Sequence, residues 1–189
     1  RGSVEMLLEL IGAARAVGAS TILIPVLEQA EIRTTSERAE LAVSLQEPLA
    51  LARSFEMQLG LETELPVSEY LALIEQVHHE SVAVYYDAGN AAAKGYDPAA
   101  DLRAIGKRLC GVHVKDRPPS GSSVRLGEGA VDFPSAFGAL AEIGYRGPLI
   151  LQTAFGAGFL KDAAAHLEFV RRHRSASGAP AGAAACPAC

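Results

Sequence analysis

Glu62, Asp87, His113 and Gln152 each close a short strand-like run: Leu-Gly-Leu-Glu62, Val-Tyr-Tyr-Asp87, Gly-Val-His113 and Leu-Ile-Leu-Gln152. Two carboxylates, an imidazole and a carboxamide form a donor set for Mn²⁺, Mg²⁺, Co²⁺ or Zn²⁺, with water or substrate filling the remaining positions. A carboxylate at the end of a buried run calls for a metal or a charge partner, because an uncompensated buried charge is costly. Glu62 meets that description. Asp87 precedes the turn-like Ala88-Gly89-Asn90, where an isolated Asp would satisfy its own backbone; beside Glu62 and His113 it reads as a ligand. Gln152 is the weakest of the four, since an amide oxygen can ligate a hard cation but carries no charge and cannot act as a base. Glu64 lies two residues beyond Glu62 and would share its face of an extended segment. Lys115 stands in the same relation to His113. Lys115, Arg117 and Arg125 are the cations best placed to meet a substrate phosphate or carboxylate. Gly127-Glu128-Gly129 reads equally as a phosphate cradle or a flexible mouth loop, and it lacks the Lys-Ser/Thr of a P-loop. The other histidines (His78, His79, His166 and His173) fall on helices or their ends and are expected to be solvated.

Strands must bring these residues together, and helical patterns separate the strands. Helical spacing of apolar residues predicts a first helix over 4–17 with Gly18 as its stop, then a strand over 21–25. Thr34-Thr35-Ser36-Glu37 fits a capping box, opening a helix toward Glu56 with a kink at Pro48. Further strands are expected at 58–62, 82–87, 109–114 and 148–152, and further helices at 66–77 and 159–174. Asp97-Pro98 caps a helix to about Ile105. Asp132 caps another, which ends near Ile143 with Gly144 beyond it. Strands alternating with helices imply a parallel sheet whose strand C-termini share one edge, where enzymes of this architecture do their chemistry. The five strand-helix units fit an open α/β sheet or the C-terminal five units of a (β/α)8 TIM barrel. A barrel commonly takes about 250 residues. The expectation is therefore a barrel whose N-terminal strands are missing from the chain, occupying residues 1–174. A low-complexity Ala/Gly/Pro/Ser tail, read as disordered, is expected over 175–189.

The 189 residues suit a single domain, 49% hydrophobic and 21% charged. A net charge of −5 and a pI near 5.6 argue against a nucleic-acid-binding surface, which needs clustered Lys and Arg. No apolar run approaches the length of a membrane span. Cys110 reads as core packing, and Cys186 and Cys189 lie in the tail without the strand-helix context of a redox pair. A reducing cytoplasm is the expected compartment. Five units alone would leave two sheet edges exposed, so the chain is expected to be poorly stable or to self-associate, for example as a homo-oligomer.

Leu-Glu62-Thr-Glu, Tyr-Tyr-Asp87-Ala-Gly-Asn90, His113-Val-Lys-Asp-Arg and Leu-Gly-Glu-Gly-Ala-Val-Asp132-Phe, with Ile-Gly-Tyr-Arg-Gly-Pro-Leu-Ile-Leu-Gln152, resemble the sugar phosphate isomerase/epimerase family of xylose isomerase-like TIM barrels. The resemblance spans roughly residues 4–174. It implies that strands four to eight of the barrel are present. It also implies a divalent metal on Glu62, Asp87, His113 and the residue at Gln152, and a small-molecule sugar or sugar phosphate as substrate. The family has Glu where this chain has Gln152, and uses its first and last Glu as bases on opposite faces of a ketose. Two-face epimerisation therefore loses a carboxylate here, while one-face aldose–ketose isomerisation with Glu62 as base keeps what it needs. Asn90 occupies a substrate-contacting place in the resemblance. Two rivals are a barrel that binds metal or sugar without turnover and an apurinic endonuclease-like hydrolase, which would need more histidines and a basic groove.

Overall fold

The computed structural model describes residues 2–177, and Cys186 and Cys189 lie outside them. Its strands are β1 (Thr21–Val26), β2 (Gln58–Thr63), β3 (Val82–Asp87), β4 (Leu109–Val114) and β5 (Leu149–Leu151). They form one five-stranded sheet in chain order. β1 pairs parallel with β2, β2 with β3, and β4 with β5. β1 and β5 are the outer strands. The fold is α/β with five parallel strands, as expected. Among the described residues no helix is long and apolar enough to cross a membrane.

The described residues pack as two compact units, 2–86 with 108–111, and 87–107 with 112–177. In the first, α1 (Ser3–Ala16), α2 (Thr35–Ser44), α3 (Gln46–Ser54) and α4 (Val67–Val77) accompany β1 and β2. Its core holds Ile11, Leu49, Ala52, Leu59, Leu61, Leu73 and Val84, none of them exposed. Thr34 caps α2 through the expected box, its side chain accepting from the Glu37 N–H while Glu37 accepts the Thr34 N–H. The single bent helix expected toward Glu56 is two helices parted at Leu45. A proline ring collides with the carbonyl four residues back, which for Pro48 is Ser44, the last residue of α2.

A tight passage also shapes this unit. A Cβ on Gly111 would lie 2.2 Å from Cε2 of the buried Tyr85 ring, so only glycine lets that ring lie against β4. Gly111→Ala is expected to cost about 1–3 kcal/mol by overpacking, read as a lower urea midpoint with unchanged slope. Cys110 is core, as expected: its thiol donates to the Val84 carbonyl at 3.3 Å, and burial pushes its pKa up to about 12.

The second unit carries α5 (Ala88–Ala93), α6 (Pro98–Ile105), α7 (Phe133–Glu142) and α8 (Phe159–Ala176). Asp97 and Asp132 cap α6 and α7 as the sequence predicts. α8 runs two residues into the segment read as a tail. Two histidines depart from the solvated reading. His166 is buried with Nε2 3.3 Å from the Ala154 carbonyl, and His173 stacks on Phe169 with ring centroids 4.1 Å apart. Both sit on the face of α8 that packs inward, where an imidazole behaves as a flat apolar ring with one polar tip.

Candidate metal centre

β2 delivers Glu62 through a run that is wholly buried from Leu59 onward. The residue is 3% exposed. α4 supports it from behind. Tyr70 belongs to the buried stripe of that helix with Leu73, Ile74 and Val77, and its hydroxyl donates to the carbonyl of Leu61 and, at 3.2 Å, to that of Tyr85. Burial holds its phenol pKa well above the ordinary value, so the group remains a donor. Tyr70 thereby fixes the peptide immediately before Glu62. Sequence reasoning missed it, because an aromatic at helical spacing reads as core and nothing marks its hydroxyl.

β3 ends at Asp87, and α5 begins at the next residue. Ala88-Gly89-Asn90 is therefore the first turn of a helix, not a loop. Asp87 uses one carboxylate oxygen for the backbone contact that its sequence context suggested and turns the other toward Lys115 and His113. Its Oδ1 caps α5 by accepting the Asn90 N–H at 2.8 Å. Its Oδ2 lies 3.3 Å from Lys115 Nζ and 3.7 Å from His113 Nδ1. The Lys115 side chain is only 14% exposed, so this ammonium is drawn inward as a counter-charge to Asp87. His113, 5% exposed, is the penultimate residue of β4.

One ligand atom from each of Glu62, Asp87 and His113 lies within 4.8 Å of the other two, and all three residues are buried. This is the only such group of His, Cys, Asp and Glu among the described residues. Two carboxylates and an imidazole, withdrawn from water and gathered this closely, suit a divalent cation better than they suit one another. The donor set fits Mg²⁺, Mn²⁺, Co²⁺ or Zn²⁺.

The remaining candidates fall around this group in different ways. Gln152 is exposed, one residue past β5, and its N–H donates to the Val114 carbonyl at 3.2 Å. Glu64 is half-buried, just beyond β2. Arg117 donates through Nη1 to Asn90 Oδ1 at 2.7 Å and through Nε to the Gly121 carbonyl at 2.9 Å. Arg125 donates to Asp162, a buried carboxylate in the first turn of α8 that also accepts the Gly156 N–H at 2.7 Å. The Gly127-Glu128-Gly129 loop does hold an anion, but one from its own chain. The N–H groups of Gly127 and Gly129 both donate to Asp116 at 2.8 Å, so those donors are occupied and the phosphate-cradle reading falls. Asp116 and Asp162 went unassigned because their partners lie 6–37 residues away in unpatterned loops.

Comparisons with known proteins bear on the fold and the family. A curated L-ribulose-5-phosphate 3-epimerase of Salmonella paratyphi C is 32% identical over 114 residues, covering 57% of this chain and 40% of that protein. The chain thus spans about two fifths of the length of the curated relatives it matches. A xylose isomerase domain protein from Planctomyces limnophilus superposes with a TM-score of 0.81 at 26% identity, over 93% of this chain and 65% of that one. A xylose isomerase-like TIM barrel protein from Mycobacterium smegmatis, solved with magnesium, gives a TM-score of 0.72 at 20% identity, over 92% of this chain and 67% of that one. The profile of the xylose isomerase-like TIM barrel family matches residues 1–173, and the chain belongs to that family.

Proposed function

We propose that this protein is a divalent-metal-dependent sugar isomerase or epimerase that removes a proton beside a ketose carbonyl. The observation that carries the reading is the buried convergence of Glu62, Asp87 and His113. The epimerase names of the curated relatives and the magnesium in the M. smegmatis relative support it. The five strands then correspond to strands four to eight of the family barrel. Glu62, Asp87 and His113 hold the cation, with the Gln152 carboxamide as a weaker fourth donor. A divalent cation held by these residues would supply Lewis-acid polarisation of the ketose carbonyl.

Glu62 takes the proton from the adjacent carbon, leaving the electron pair in an enediolate. Its burial keeps bulk water from competing for that proton. Lys115, beside Asp87, balances the carboxylate charge, and its ammonium would stabilise negative charge developing on the enediolate oxygens. Arg117, Asn90, Arg125 and Glu64 bind the sugar's distal hydroxyls or phosphate. Because Gln152 cannot act as a base, protonation is confined to the Glu62 face, which favours aldose–ketose interconversion over two-face epimerisation. Gln152 also favours a second reading, in which the site binds metal and sugar without turnover.

Incubation with Mn²⁺ and a ketopentose, or its 5-phosphate, in D₂O separates the two readings. Deuterium should enter the carbon next to the carbonyl, and aldose should accumulate without the 3-epimer. Tight sugar binding with no deuterium uptake would leave only the second reading.

A further inference from the structure

Asp116 is completely buried two residues beyond β4, and both of its oxygens are engaged by backbone. Oδ2 accepts the N–H of Gly127 and of Gly129, each at 2.8 Å, and Oδ1 accepts that of Val131 at 3.1 Å. The Asp116 carbonyl also accepts the Val124 N–H, and the Arg117 carbonyl accepts the Ala130 N–H, both at 3.0 Å. One carboxylate thus gathers three charge-assisted hydrogen bonds from the far end of the long loop that leaves β4. The fit is close: a Cβ on Gly129 would lie 2.2 Å from Asp116 Oδ1 and 2.7 Å from the Arg117 nitrogen. A Pro-, Gly- and Ser-rich loop of this length would otherwise sample many conformations.

The first side chain beyond this clamp is Arg117. Its guanidinium can only donate, so its 2.7 Å contact assigns the bonded end of Asn90 as the carbonyl oxygen. That assignment leaves the Asn90 NH₂ as the end offered to an acceptor such as a sugar hydroxyl oxygen. The Asn90 backbone is fixed in turn by Asp87 Oδ1. A continuous path of hydrogen bonds and covalent neighbours therefore runs from Asp116 through Arg117 and Asn90 to Asp87.

We propose that Asp116 is the positioning residue of the sugar site: by closing the loop it holds Arg117 on Asn90, and so sets the Asn90 amide as a donor to the substrate. The inference rests on the sugar reading above. Asp116 touches neither metal nor substrate.

The test compares Asp116→Asn, Arg117→Ala and the double variant in the Mn²⁺-loaded protein. An asparagine turns an NH₂ toward donors, so amide hydrogen exchange at Gly127, Gly129 and Val131 should quicken while β4 amides hold. The ketose KM should rise roughly tenfold in each single variant with kcat changed by less than about threefold, the signature of lost substrate binding. Mn²⁺ affinity by calorimetry should stay within about threefold, and the double variant should be no worse than Arg117→Ala alone. Additive effects, or an unchanged KM in Asp116→Asn, would overturn the positioning role. If Asp116→Asn fails to fold, Arg117→Ala decides, and an unchanged KM there sinks the proposal. A wild-type protein that binds Mn²⁺ but exchanges no ketose proton refutes the reaction instead; the same variants are then compared by ketose affinity in calorimetry, where an unchanged affinity in Asp116→Asn overturns the positioning role.

Discussion

Glu62→Gln is expected to slow proton exchange at the ketose carbon by roughly 10²–10⁴-fold, the usual contribution of a positioned general base. The amide matches the carboxylate in shape and keeps an oxygen that can ligate, so the fold and most of the substrate affinity should survive. The loss should therefore appear in kcat and in kcat/KM alike, as for an interaction made only in the transition state. Full activity in this variant would remove Glu62 from the chemistry, whatever its place in the metal site. Because Tyr70 holds the peptide before Glu62, this carboxylate is presented by a strand end and not by a loop.

Asp87→Asn should weaken Mn²⁺ binding roughly 100-fold or more, about 2.7 kcal/mol, measured by calorimetry. The asparagine oxygen can still accept the Asn90 N–H, so the start of α5 should be preserved and the melting temperature little changed. Asp87→Ala removes cap and ligand together and should lose about 1 kcal/mol of stability in addition. The pair of variants separates the two roles of one carboxylate. Equal Mn²⁺ affinity in wild type and Asp87→Asn would mean that Asp87 is only a helix cap paired with Lys115.

The elements that position the site were legible where local chemistry decides them. Asp97-Pro98, Asp132 and Thr34 with Glu37 mark helix starts by hydrogen bonds made within a few residues, and the structure reproduces them. The buried runs ending at Glu62, Asp87 and near His113 were legible for a similar reason, since a polar residue closing an apolar run stands out. Ala88–Ala93 was misread because Asp-Ala-Gly-Asn is also turn chemistry. Only the direct junction of strand and helix, with Asp87 serving both, makes it a helix. The hydrogen-bond partners within the loops were not legible. Nothing in the sequence pairs Asp116 with Gly127, Gly129 and Val131, or Arg125 with Asp162. The buried setting of His166 likewise depends on which face of α8 meets the rest of its unit.

The ligand set itself is tested most directly by pulsed electron paramagnetic resonance on the Mn²⁺-loaded protein, which detects nitrogen bonded to the ion. One histidine nitrogen should couple to a single bound Mn²⁺ in the wild type, and the coupling should vanish in His113→Gln. A coupling that persists in His113→Gln, or that is missing from the wild type, would contradict a cation shared by Glu62, Asp87 and His113.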